Sequence, residues 1–278
     1  MAASSAVRVR RMSLLVVVIA AVLCASACAG DAPVAVVGPG RVAAGPTSPT
    51  PSGPAAAPEV LTHGPAGHRR IALTFDSNMT DAMLARLASG QVDSYANDAV
   101  LDELEASRTP ATFFLSGKWI ERYPELSRRI AADPDAELAS HSYAHLGFTD
   151  HCYGLGVLPR EQMAADVEHS FAVLATLGGH QTRFFRFPGG CYDPAAVRAV
   201  APTGATLVQY DVVGDDAFTT QTATIERSVL SQAHDGAIVV LHITKANAPR
   251  TADALPAVVA GLRARGYDLV TLSTLLGK

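Results

Sequence analysis

Basic residues are in short supply in this chain. Its 22 Lys and Arg face 26 Asp and Glu, for a net charge of −4, which is not the balance of a nucleic-acid binder. No repeat is sustained along it, which excludes collagen and coiled coil. Charged residues are few at 17% and aromatic ones fewer at 6%, but 49% of the chain is hydrophobic, too much for a wholly disordered polymer. The 278 residues suffice to bury a sizeable core, as one large domain or two small ones, without a disulfide scaffold.

A comfortable membrane span is missing as well. The apolar stretch from Leu14 to Leu23 falls short of the roughly 20 residues that a span needs. Arg8, Arg10 and Arg11 precede it, and Cys24-Ala25-Ser26-Ala27-Cys28 follows it. A basic segment, a short apolar run and small residues at a cut site describe an export signal over residues 1–28. Ala25-Ser26-Ala27 before Cys28 also resembles a bacterial lipobox, in which Cys28 carries a lipid anchor; ordinary cleavage after Ala27 or Ala29, with no lipid, is the alternative. Losing three arginines makes the mature chain more acidic, which suits a neutral or cationic polymer better than an anionic one. Residues 29–66 are Gly, Pro, Ala, Ser and Thr with almost no charge. They read as an extended tether, leaving 67–278 as the folded domain.

From His68 onward the pattern alternates. Short β-branched or aromatic runs lie at Ile71–Phe75, Thr112–Leu115, Glu137–Ala139, Phe184–Phe187, Thr206–Val208, Ile238–Leu241 and Leu269–Leu272. Between several of them are helical periods: Trp119, Ile120, Tyr123, Leu126 and Ile130 share one face, Met163, Val167, Phe171 and Leu174 another, and Leu255, Val258, Val259 and Leu262 a third. Asp193-Pro194 is a good helix start. Strands alternating with helices predict an α/β fold on a parallel sheet, open or closed into a barrel.

Polar residues punctuate this pattern. Asp76 ends the first run, His141 and His145 follow the third, Arg186 lies within the fourth, Asp215 and Asp216 follow the fifth, and His242 ends the sixth. One aspartate after a strand usually caps a turn, and one histidine is usually structural. These residues recur at the C-terminal ends of successive strands, and in a β/α barrel those ends share one rim, where active sites are built. His141-Ser-Tyr-Ala-His145 is a candidate metal pair, since on one helical turn residues i and i+4 lie on the same side. The zinc-protease motif would need Glu where Ser142 stands, so that class is disfavoured.

Thr74-Phe75-Asp76, His141-Ser-Tyr-Ala-His145, Arg186-Phe-Pro-Gly-Gly190 and Leu241-His242, in this order and spacing, resemble the successive motifs of the polysaccharide deacetylases with NodB homology, carbohydrate esterase family 4. The resemblance covers about Arg69 to Leu276. It implies a distorted (β/α) barrel with fewer than eight complete units, and metal-dependent removal of N-acetyl groups from a glycan such as peptidoglycan or an exopolysaccharide. By the same resemblance His141 and His145 would hold zinc or a similar divalent ion, Asp76 would be the general base and Arg186 would orient it. His242 would be the general acid, supported by Asp216 or its neighbour Asp215, and a backbone N–H near Gly189 or Gly190 would meet the oxyanion.

Three positions depart from the family's pattern. Ser77, followed by Asn78, stands where a second aspartate usually supplies a metal ligand; water or the Asn78 oxygen could complete the site. Gly189 replaces a usual aromatic residue and Ala217 a frequent tryptophan, which predicts a more open groove. Cys152 and Cys191 follow the second and third motifs, so in an oxidising compartment they are expected to bond. Two other functional classes stay open beside the N-deacetylase: an O-acetyl esterase on an acetylated polysaccharide, and a degenerate glycan-binding domain without turnover, suggested by Ser77.

Overall fold

The computed structural model describes residues 57–278. The expected export signal, Cys28 and most of the expected tether lie outside the described residues. The folded domain begins earlier than residue 67, because β1 (Val60–Leu61) joins the sheet. Two residues are too few to show a period in a proline-rich stretch.

The remaining strands are β2 (Arg70–Asp76), β3 (Ala111–Leu115), β4 (Ala136–Ser140), β5 (Gln181–Phe185), β6 (Thr206–Val208), β7 (Val212–Val213), β8 (Ile238–His242) and β9 (Asp268–Leu269). The helices are α1 (Asp81–Ala88), α2 (Asp98–Ser107), α3 (Gly117–Arg122), α4 (Pro124–Ala132), α5 (Met163–Ala175), α6 (Pro194–Val200), α7 (Thr222–Gln232), α8 (Thr251–Ala264) and α9 (Leu272–Leu276). All strand pairings are parallel, in the order β1-β6-β5-β4-β3-β2-β8-β7, with β9 also on β2. β6 and β7 stand near opposite ends of this order, yet only Gln209, Tyr210 and Asp211 connect them. Three extended residues reach about 10 Å, so the sheet must curl until its ends nearly meet. The result is the distorted, incompletely closed barrel that the sequence resemblance implies.

Strand alternation divides the side chains between the inside of the barrel and its outer helical layer. Ala72, Phe114, Ala139, Phe184, Val208 and Ile238 form an inner cluster with Leu272 and Leu275 of α9. Their odd-and-even neighbours Leu73, Phe75, Phe113, Leu115, Leu138, Phe185, Val239 and Leu241 pack outward with the helices. Burial on both faces is why these strands read as nearly continuous apolar runs. At the strand starts, fully buried Glu137 accepts from Thr112 Oγ1 (2.9 Å) and from the Ser273 N–H (3.2 Å). The carboxylate therefore faces the positive end of α9, where anions are favoured.

The apolar face read across Trp119 to Ile130 belongs to two helices, since Tyr123 leaves helical geometry and Pro124 starts α4. Leu272, read as the end of a strand, starts α9 instead. Among the described residues no helix is long and apolar enough to cross a membrane.

Candidate active site

The same alternation that fills the barrel below carries polar groups above. Counting upward in steps of two, Ala72 leads to Thr74 and Asp76, Phe184 to Arg186, Val208 to Tyr210, and Ile238 to Val240 and His242. The β2–β8 register sets Asp76 opposite His242. Arg186 hangs from the Ser140 carbonyl beside the start of the His141 loop (3.0 Å). Asp76, His141, His145, Tyr210 and His242 thus line one cavity of about 540 Å³.

Arg186 is fully buried. Its Nη1 donates to Asp76 Oδ1 (2.7 Å) and Thr74 Oγ1 (2.8 Å), its Nη2 to the Gln209 carbonyl (3.2 Å). The guanidinium carbon lies 3.9 Å from the Phe114 ring centroid, within cation–π range. Burial works to raise the Asp76 pKa, but the charge of Arg186, with lesser help from His141 and His242, outweighs it and holds the carboxyl below its ordinary range. Asp76 is therefore a carboxylate at neutral pH, with Oδ2 left facing the cavity.

The two histidines are not on a helical turn. Ser142 and His145 both take left-handed backbone (φ 68 and 51), so residues 141–145 form a tight loop, and the i, i+4 spacing matched a helix only by length. Neighbouring elements fasten this loop: the first N–H groups of α3 bind the Ser142 and Tyr143 carbonyls (both 3.0 Å), and Asp166 of α5 accepts from the Tyr143 and Ala144 N–H groups (2.8 and 3.1 Å). The imidazole centroids end 4.9 Å apart, both buried rather than on a solvated face.

Burial pushes the His141 pKa down to about 4 and that of His145 well below its usual value, so both rings are neutral and carry free lone pairs. His141 donates Nδ1–H to the Arg186 carbonyl (3.0 Å), which leaves Nε2 as the lone-pair nitrogen, 3.6 Å from Asp76 Oδ2. Two buried polar atoms of residues that line the cavity have no hydrogen-bond partner, His145 Nδ1 and Asn78 Oδ1. Among the described residues no group of three His, Cys, Asp or Glu is arranged to hold a metal ion. Two neutral imidazoles and an unpartnered amide oxygen nonetheless form a donor set that a divalent cation would satisfy. Ser77 is not part of it, because its Oγ accepts from the Ser116 N–H (3.0 Å).

Across the cavity His242 Nδ1 contacts Asp216 Oδ1 (2.8 Å). Asp216 also accepts from the His242 N–H (2.7 Å) and from Thr251 Oγ1 (2.7 Å). Burial disfavours charge on His242, but the Asp216 carboxylate and its hydrogen bond prevail and raise the pKa. Asp215 is not its partner; it takes a hydrogen bond from Ser228. The Gly190 N–H is spent on the Phe187 carbonyl (2.9 Å), so of the two N–H groups expected to meet an oxyanion only that of Gly189, which lines the cavity, is uncommitted among the described residues.

Cys152 and Cys191 are bonded, as expected. The groove is not opened at Gly189: a Cβ there would stand 2.6 Å from Cys152 Sγ and 3.2 Å from the Tyr153 ring, so the loop occupies that space. Sequence reading passed over Tyr210, Tyr153 and Phe218, all of which line the cavity. Continuing the inward alternation past Val208 would have reached Tyr210, whose pKa is pushed up to about 12 by burial and the Asp76 charge, so it keeps its proton. No sequence period points to the other two.

A family model for polysaccharide deacetylases matches residues 63–208, more than half of the chain. The chain is 29% identical over 205 residues to a bifunctional xylanase/deacetylase of Pseudobutyrivibrio xylanivorans, over 74% of this chain and 30% of that protein. It spans 52% of a second curated relative, from Bacillus subtilis, so about half or less of either. A solved peptidoglycan N-acetylglucosamine deacetylase shares the fold with a TM-score of 0.64 at 22% identity, over 79% of this chain and 93% of that one. So does a carbohydrate esterase family 4 pseudoenzyme from Bacillus anthracis, with a TM-score of 0.61 at 21% identity, over 78% and 69% of the two chains. The curled parallel barrel, the ordered motifs on its rim and the family match agree: this chain belongs to the polysaccharide deacetylase family.

Proposed function

We propose that this chain is a metal-dependent deacetylase that hydrolyses N-acetyl groups of a cell-envelope glycan to free amine and acetate. The observation that carries the reading is a base and an acid paired with opposite partners across one cavity: Asp76 with the Arg186 guanidinium, which favours its ionised form, and His242 with the Asp216 carboxylate, which favours its protonated form. Groups whose environments push them apart in this way divide the roles of hydrolysis.

A divalent ion such as zinc, held by His141, His145 and the Asn78 amide oxygen, would polarise the acetamide carbonyl and acidify water. Asp76 then takes the proton of the attacking water through Oδ2, while Arg186 keeps Oδ1 occupied and the carboxylate oriented. Gly189 and Tyr210 line the cavity, and the N–H of the first and the hydroxyl of the second would offer hydrogen bonds to the oxygen on which charge develops. His242 gives its proton to the departing nitrogen, since an amine leaves only when protonated. An alkoxide from an O-acetyl ester leaves more readily and needs that acid less. A domain that only binds glycans needs neither the buried Arg186–Asp76 pair nor the Asp216–His242 pair, so both alternatives account for less of the site.

In this reading residues 1–28 export the chain, Cys28 carries a lipid anchor, and residues after it space the barrel from the membrane. The test is acetate release from N-acetylated glycan oligomers and from O-acetylated xylan, before and after chelation and readdition of zinc. Release from the N-acetylated oligomers, lost on chelation and restored by zinc, is expected. Release from xylan alone, or from neither with zinc loaded, would overturn the proposal.

A further inference from the structure

Large apolar side chains stand exposed at four described positions, and three of these are aromatic: Tyr153 at 74%, Phe218 at 66% and Tyr192 at 38%. Tyr153 and Phe218 lie side by side, ring centroids 5.8 Å apart and planes tilted by 47°, and both line the cavity that holds Asp76 and His242. They come from different segments, one from the loop before Leu158 and one from the stretch after Asp216. Neither is needed by the core.

Tyr153 is held at φ 46, a left-handed backbone that disfavours a side chain of this size and persists only where the surroundings enforce it. The enforcement is local: Cys152 is bonded to Cys191, and Gly189 beneath presents no side chain to push the ring away. Phe218 follows Ala217, whose small side chain likewise leaves the cavity lip clear. Two aromatic rings are thus displayed to water at the mouth of a polar cavity, one of them at a backbone cost. Exposed apolar surface gathered at a cleft marks a binding site, and the ring faces of a sugar carry apolar C–H groups on one side and hydroxyls around the edge.

We propose that Tyr153 and Phe218 form an aromatic ledge that stacks the sugar ring next to the residue being deacetylated, so that the protein favours chains over single sugars. The inference rests on the deacetylase reading above, which supplies the residue in the cavity. It also reverses the expectation from Gly189 and Ala217: the groove has not lost its aromatic surface but draws it from positions 153 and 218.

The test uses the full chain with Asp76→Asn to prevent turnover. Binding of N-acetylglucosamine and of its tetramer is measured by titration calorimetry, alone and with Tyr153→Ala, Phe218→Ala or Tyr153→Phe added. The tetramer is expected to bind more tightly than the monomer, and either alanine to weaken tetramer binding about five- to tenfold, the worth of one aromatic contact. Tyr153→Phe should restore it, because the ring face and not the hydroxyl does the stacking. Thermal unfolding of each variant identifies any that has not folded. Equal tetramer affinity in folded alanine variants would overturn the ledge. Acetate release by the unsubstituted chain is read separately: release with an unaffected tetramer affinity sinks only the ledge, and no release from any glycan sinks the deacetylase.

Discussion

At the scale of single residues the site was legible because chemistry-bearing side chains ended or followed apolar runs, and a parallel sheet gathers those ends. Asp76, Arg186 and His242 stand on the inward alternation of their strands or one step past it. What no pattern could supply was the division of labour between adjacent residues. Asp216 reaches His242 and Asp215 does not; Asn78 keeps a free oxygen and Ser77 does not. Asp216→Asn removes the carboxylate that stabilises charge on His242. The acid then loses its proton at lower pH, so the alkaline limb of the pH profile of kcat/KM is expected to move downward; an unmoved limb would refute the pairing. For Asn78, replacement by Ala is expected to weaken zinc binding about tenfold and by Asp to tighten it, measured by competition with a chelating dye, independently of turnover. Arg186→Met leaves Asp76 buried without its counter-charge, a class of change that costs about 3–5 kcal/mol; urea unfolding should register a loss of that order.

At the scale of elements, burial on both faces made β2, β3, β4 and β8 readable, whereas β1 and β7 are two residues long and show no period. α1 buries none of its residues fully, so it offered no apolar face to find. The His141–His145 loop misled for a related reason: spacing records how many residues separate two side chains, and left-handed Ser142 and His145 can reproduce by a turn what a helix does by pitch. The disulfide element was legible from its place beside two motifs. It closes a separation of 39 residues, and a link of that length contributes on the order of 4 kcal/mol by restricting the unfolded chain. Replacing both Cys152 and Cys191 with Ser is therefore expected to lower the thermal midpoint and to raise KM for glycan oligomers through release of Tyr153. Retained KM with a lowered midpoint would leave the bond a role in stability alone.

At the scale of the whole molecule, curvature was the least legible property. Seven strand-like runs were by themselves consistent with an open or a closed sheet; the motif resemblance implied the distorted barrel, and the three-residue passage from β6 to β7 shows the curl. Closure needs a filling, and that filling comes from α9. Leu275 is 3% exposed and belongs to the inner cluster with Ala72, Phe114 and Ile238. Leu275→Asp places a charge there with no partner and is expected to prevent a cooperative unfolding transition, where Thr274→Ser near the same helix should leave one intact; circular dichroism melts compare the two.

The inner plug follows in the chain every strand it supports. Without Leu272 and Leu275 the strands would keep their pairing partners but lose the apolar stopper around which that end of the barrel closes.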